Sequence, residues 1–147
     1  MADALRLFGL KTIVTDAASG IGEAIVRTFV KQGAAVLAVD SATSGIETHF
    51  RKLNGVTGLA LDLRAKDSAR QLIASAKSVL DGLDIVVCNF DWHGESPITD
   101  LDKAATDALT TNMSSLISGV LDTAIPMLQK SPAGRMIAIG CLRSVFS

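Results

Sequence analysis

Tyrosine is absent from this 147-residue chain, so no chemistry within it can run through a phenolate. Long apolar runs are also missing. No stretch reaches the roughly 18 apolar residues that a membrane-spanning helix needs, which predicts that no membrane is a partner. Charge of one sign is lacking: 14 basic against 15 acidic residues leave a formal net charge of −1, with the basic residues scattered. Without a basic patch, no nucleic-acid partner is expected. Cysteine occurs only at Cys88 and Cys141, too few for a disulfide framework. The two histidines, His49 and His93, have no Cys or His at ligand spacing, so no metal site is predicted. Met1-Ala2-Asp3-Ala4-Leu5-Arg6 lacks the basic start and apolar stretch of a signal peptide, which predicts a cytoplasmic protein.

What is present is apolar mass, 48% of residues, enough for the core of one domain over 1–147. Short apolar runs alternate with helical patterns. Thr12-Ile13-Val14-Thr15 predicts a buried strand. Gly20 to Gln32 predicts a helix with Ile21, Ala24, Ile25, Thr28 and Phe29 on one face, ended by Gly33. A strand follows at Ala35–Asp40, a helix over 43–53, a strand over 57–61 and a helix over 66–80. Asp84–Cys88 is the fourth strand. The helix over 101–129 repeats Met113, Leu116, Ile117, Val120, Leu121 and Ala124 at three- and four-residue steps, with Pro126 placed to kink its last turns. Arg135–Ile139 is the fifth strand. Continuous apolar strands alternating with helices predict a doubly wound parallel α/β sheet of five strands in the order 3-2-1-4-5. The chain stops just past a strand, so either another segment covers that strand or it is the sheet edge.

The stretch that suggests chemistry is Thr15-Asp16-Ala17-Ala18-Ser19-Gly20-Ile21-Gly22. A glycine turn between strand and helix lets backbone approach a pyrophosphate and aims a helix N-terminus at it. Alone, such a turn equally serves tight helix–strand packing. Here Asp40 ends the second strand roughly 20 residues on, where an acid can accept from a ribose 2′-hydroxyl. No basic residue directly follows Asp40, which favours NAD over NADP. Trp92 and His93 follow the fourth strand, at the end where open parallel sheets bind ligands. They could line a substrate pocket or simply pack on the surface.

Taken together, the chain resembles the N-terminal part of a classical short-chain dehydrogenase/reductase. Thr15 to Gly22 resembles the family's T-G-x-x-x-G-I-G. Asp62-Leu63 resembles the acidic position after the third strand that contacts adenine, and Asp84 to Asp91 the strand ending in N-N-A-G. Asn112 in Thr111-Asn112-Met113-Ser114 resembles the helix asparagine of the catalytic tetrad, and Gly134 to Cys141 the strand delivering the catalytic serine. The resemblance implies a Rossmann-like domain holding a nicotinamide cofactor through Thr15, Asp16, Ser19, Gly20, Ile21, Gly22, Asp40, Asp62, Leu63 and Asn89. It implies catalytic positions at Asn112 and Cys141, a small-molecule alcohol or ketone as substrate, and a homo-oligomer through the helix over 101–129.

The departures matter as much. Asp16 replaces the first glycine, Cys88 the first asparagine of N-N-A-G, Phe90 and Asp91 its alanine and glycine, and Cys141 the serine. The family's Tyr-x-x-x-Lys lies beyond Ser147. Aspartate tolerates positive φ, but a carboxylate about 4 Å from a phosphate charge costs roughly 4 kcal/mol at an effective dielectric of 20, about a thousandfold in affinity. Cys141 is a weaker donor than serine. It serves as a strand-end packing residue or, less simply, as a redox partner of Cys88. Asn112 without tyrosine and lysine has no proton relay to serve, so residues 1–147 alone are expected to be inactive. Two readings follow. The chain is either the N-terminal portion of an NAD-dependent oxidoreductase, truncated after its fifth strand, or a non-catalytic binding or interaction protein with a weakened cofactor site.

Overall fold

The computed structural model describes residues 5–18, 20–90 and 103–139. Five strands, β1 (Lys11–Thr15), β2 (Ala35–Asp40), β3 (Val56–Ala60), β4 (Ile85–Asn89) and β5 (Arg135–Ile139), form one sheet in the order β3-β2-β1-β4-β5. All four pairings are parallel. The connections carry helices α1 (Gly20–Lys31), α2 (Ile46–His49), α3 (Ser68–Leu80) and α4 (Lys103–Leu128). This is the predicted doubly wound sheet with the predicted strand order.

The strand sequences dictate two cores, because successive side chains on a strand point to opposite faces. Val14, Val36, Ala38, Ile85 and Val87 pack with Val26 of α1, Ile46 of α2 and Phe50. The intervening Ile13, Leu37, Val39, Val86 and Cys88 pack with Leu72, Ile73 and Ala76 of α3 and with Val120, Ala124 and Leu128 of α4. Burying each large aliphatic side chain stabilises by about 1.5–3 kcal/mol. A sheet covered on both faces therefore needs strands with buried interiors, as β1, β2 and β4 have, β1 including the buried Thr12 and Thr15.

The helix expected over 43–53 is corrected. A 3₁₀ turn spans Ala42–Ser44, Gly45 turns left-handed at φ 68°, and α2 covers only Ile46–His49. Ile46 and Phe50, four residues apart and both buried, anchor this short segment; the polar residues between them give it no longer apolar stripe. Strand β4 begins one residue later than expected and includes Asn89. Helix α4 runs through Pro126 to Leu128, and residues 101 and 102 of its expected span lie outside the described residues. Strand β5 is the sheet edge among the described residues. Met136 and Ile137, 46% and 41% exposed, pair with Val86 and Val87 in register, so one apolar side chain is left open on each face.

The end of the sheet opposite the strand C-termini is tied by Asp84. Its carboxylate accepts from the Lys11 N–H at 2.7 Å and from the Ser131 hydroxyl. Its own N–H donates to the Lys11 carbonyl and its carbonyl accepts from the Arg135 N–H, each at 2.8 Å. One residue thus fixes the starts of β1, β4 and β5. Hydrogen bonds to charged groups contribute about 1.5–3 kcal/mol each. Asp84→Ala is therefore expected to lower unfolding free energy in urea by at least about 2 kcal/mol. Arg70→Ala, which removes only an exposed 3.6 Å pair with Asp67, should change it by less than about 1 kcal/mol.

Candidate functional site

The chain leaves β1 through a turn that has little freedom. Asp16 is left-handed, φ 49°, a conformation that costs an ordinary L-residue about 1–2 kcal/mol and that aspartate tolerates better than most. The turn aims the Asp16 carbonyl at the first turn of α1. A Cβ on Gly22 would stand 1.9 Å from that oxygen, so only glycine lets the helix start there. The Asn89 side-chain amide donates to the same carbonyl at 3.4 Å. Behind it, the buried Thr15 hydroxyl donates to the Asn89 carbonyl at 2.7 Å and accepts from the Asn89 N–H at 3.0 Å. The ends of β1 and β4 are clasped by side chain and backbone together.

The turn also fixes Asp40. The Ala17 N–H donates to the Val39 carbonyl at 3.2 Å, and the Ala18 N–H donates to one Asp40 carboxylate oxygen at 2.9 Å. The Ser41 N–H holds the other oxygen at 2.6 Å. With both oxygens held by backbone, the carboxylate has a set orientation at the end of β2.

These strand ends open onto a cleft of about 930 Å³. Its walls include Asp16, Asp40, Asp62, Leu63, Phe90 and Asn112, six positions that the sequence singled out. Asp62 accepts from the Arg64 N–H at 2.9 Å, which turns the loop after β3 into the cleft. Thr15 and Asn89 are buried behind the wall and act by holding it. Gly20 (φ 54°) and Ile21 (59% exposed) stand at the start of α1, and Gly22 is packed beneath the turn. Asn112 is exposed on α4. Ser19, Asp91, Trp92, His93 and Cys141 lie outside the described residues.

Sequence reasoning missed much of the rest of the wall, including the polar residues Ser41, Arg64, Asp67 and Arg70. Arg64 could have been found from its spacing: the residue two beyond an aspartate is where an Asx turn draws the chain in. The charged residues of the wall are Asp16, Asp40, Asp62 and Asp67 against Arg64 and Arg70, so carboxylates predominate. Cys88 is free and buried under α3 and α4, and burial pushes its thiol up to about 11. Among the described residues no group of His, Cys, Asp and Glu is placed to hold a metal, and no helix is long and apolar enough to cross a membrane.

A family model described as short chain dehydrogenase matches residues 11–146. The chain is 29% identical over 142 residues to the cis-1,2-dihydrobenzene-1,2-diol dehydrogenase of Pseudomonas putida, a match that covers 92% of this chain and 51% of the relative. It is 30% identical over 144 residues to the L-fucose dehydrogenase of Mus musculus, covering 97% and 52%. It is 32% identical over 101 residues to the glucose 1-dehydrogenase of Gluconobacter oxydans, covering 65% and 38%. The chain thus spans about half the length of the first two of these curated relatives and less of the third.

The turn and the thiol each give a test. Gly22→Ala forces the Asp16 carbonyl to move and should lower thermal stability by an amount equivalent to about 2 kcal/mol or more, within the range of overpacked and strained sites. An unchanged melting temperature would show that the contact is not tight. A thiol raised to about 11 is almost wholly protonated at pH 8 and should resist iodoacetamide in the folded protein. Mass-spectrometric mapping should find Cys88 alkylated only after denaturant is added. Because its folded value lies above the unfolded one, Cys88 should also make stability decline as pH rises from about 8.5 towards 11.

Proposed function

The chain belongs to the short-chain dehydrogenase family, and from that membership and the cleft we propose that it carries the cofactor-binding half of an oxidoreductase that uses NAD in preference to NADP. When bound, such a cofactor supplies hydride exchange with a small alcohol or ketone. The chain's own residues do the holding. The observation that carries the reading is Asp40, its two oxygens held by the Ala18 and Ser41 N–H groups. Each oxygen keeps lone-pair capacity for a ribose hydroxyl. The fixed negative charge opposes a 2′-phosphate at the same place, while Asp62, Leu63 and Phe90 supply the neighbouring wall for an adenine.

The residues fit an adenosine well and a diphosphate less well. The N-terminus of α1, opening at Gly20, offers backbone N–H groups to an anion, yet Asp16 is in the same turn. This observation supports the second reading, a relative whose cofactor site is weakened and whose role is binding rather than catalysis. The catalytic assignment of Asn112 and Cys141 stays tied to the family pattern. Asn112 stands on the cleft wall, where it could hold a water for a proton relay.

Calorimetric titration separates the readings. NADH is expected to bind at least about tenfold more tightly than NADPH, the equivalent of about 1.4 kcal/mol, and Asp40→Asn should erase most of that difference. Equal affinities in the unmodified protein would remove the Asp40 argument. Asp16→Gly should tighten NADH binding by tenfold or more; an unchanged Kd would remove the case for a weakened site.

A further inference from the structure

The chain holds three asparagines, Asn54, Asn89 and Asn112, and only Asn54 is followed by glycine. It lies in the turn between α2 and β3, where both Asn54 and Gly55 are exposed. The turn is anchored on either side of this pair. The Leu53 N–H donates to the Phe50 carbonyl at 2.8 Å, and Leu53 packs against the core. The Gly55 carbonyl accepts from the Val36 N–H at 2.8 Å, just ahead of the first matched residues of β2 and β3, Val36 and Val56. The link between the anchors is unengaged. Among the described residues, neither the Asn54 side chain nor the Gly55 N–H makes a hydrogen bond. Gly55 has a φ of 86°, a conformation glycine adopts freely, and it has no side chain to shield its nitrogen. The other two asparagines are protected. Asn89 is buried, its amide donates to the Asp16 carbonyl, and the bulky Phe90 follows it. Asn112 lies inside α4, where the next N–H belongs to the helical ladder.

We propose that Asn54–Gly55 is a site of spontaneous covalent modification, in which the Asn54 amide becomes a carboxylate through a cyclic imide, and that the isoaspartyl product loosens the edge strand β3. The Gly55 nitrogen gives up its proton and attacks Cγ of Asn54. The N–Cγ bond forms, the Cγ–Nδ2 bond breaks, and the side-chain nitrogen leaves as ammonia with the proton that Gly55 released. Water then opens the imide. Opening at Cγ gives aspartate. Opening at the Asn54 main-chain carbonyl gives isoaspartate, with the backbone routed through Cβ and Cγ. The reaction needs water alone, with no oxidant or reductant, and it underlies the thermal lability of asparagine. Either product adds one negative charge to the chain's formal −1, beside the exposed Arg51 and Lys52. Isoaspartate also adds a methylene to the main chain, directly ahead of the bond from Val36 to Gly55. Among the described residues β3 pairs with β2 alone, so no strand on its other side holds its register.

The test is incubation of the folded protein at pH 8 and about 37 °C, followed by mass-spectrometric peptide mapping and enzymatic methylation of isoaspartyl carboxyls. The peptide bearing residue 54 is expected to gain about 1 Da and to become a methyl acceptor, while a more acidic species accumulates on ion exchange. The peptides bearing Asn89 and Asn112 should keep their masses. Asn54→Gln, whose longer side chain would have to close a larger ring, should stay unmodified under the same conditions. In the purified isoaspartyl form, the Val36 amide should exchange its hydrogen about tenfold faster than in the fresh protein, the equivalent of one lost hydrogen bond. No gain at residue 54 in the folded protein, whatever the urea-unfolded chain does, overturns the site. Equal gain at Asn89 or Asn112 overturns it as well, because the turn would then confer no selectivity. Unchanged exchange at Val36 overturns the coupling to β3. All of these outcomes are independent of cofactor binding.

Discussion

The site is organised by one backbone oxygen, the carbonyl of Asp16. It lies so close to Gly22 that no side chain fits between them, and it accepts from the Asn89 amide on the adjacent strand. This wedge sets where α1 begins, and with it the position of the next two N–H groups in the turn. One of those, on Ala18, orients Asp40. Strand, helix and carboxylate are thereby linked within a few residues. A left-handed residue normally marks glycine; here aspartate accepts the strain at the wall of the cleft.

The sheet makes such a turn possible. Clasping Thr15 to Asn89 through both hydroxyl and backbone holds β1 and β4 together at the end where their regular pairing stops. Asp84 does the corresponding work at the opposite end, where it joins three strand starts. Between these two knots the strands need only be apolar. Strand β5 is held by β4 along its full length yet leaves Met136 and Ile137 open. The cleft opens at the ends of strands whose interiors are buried, β1, β2 and β4.

Much of this was legible in the sequence because it depends on periodicity and punctuation. Apolar runs gave the strands, and three- and four-residue steps gave α1, α3 and α4. The alternation of the two kinds of element led to the strand order. Legibility failed where short-range geometry overrides pattern. Gly45 split the helix expected over 43–53 by turning left-handed, a choice that composition does not announce. Arg64 and Arg70 reached the cleft through a loop turn and a helix start, and neither has a periodic signature. For the site, Asp16, Asp40, Asp62, Leu63, Phe90 and Asn112 were picked out by position in a motif. Their convergence on one wall needed the fold. What the motif alone could not give was the role of Thr15 and Asn89, which are buried clasps behind the wall rather than part of its surface.

The central claim is that the carboxylate of Asp40, held in place by the turn after β1, receives the adenosine ribose of a dinucleotide. A crystal structure of the protein with ADP-ribose tests it most directly. The account predicts ribose hydroxyl oxygens within about 2.5–3.0 Å of the Asp40 carboxylate, with the adenine against Asp62, Leu63 and Phe90. ADP-ribose bound elsewhere, or bound in the cleft with Asp40 untouched, would contradict it.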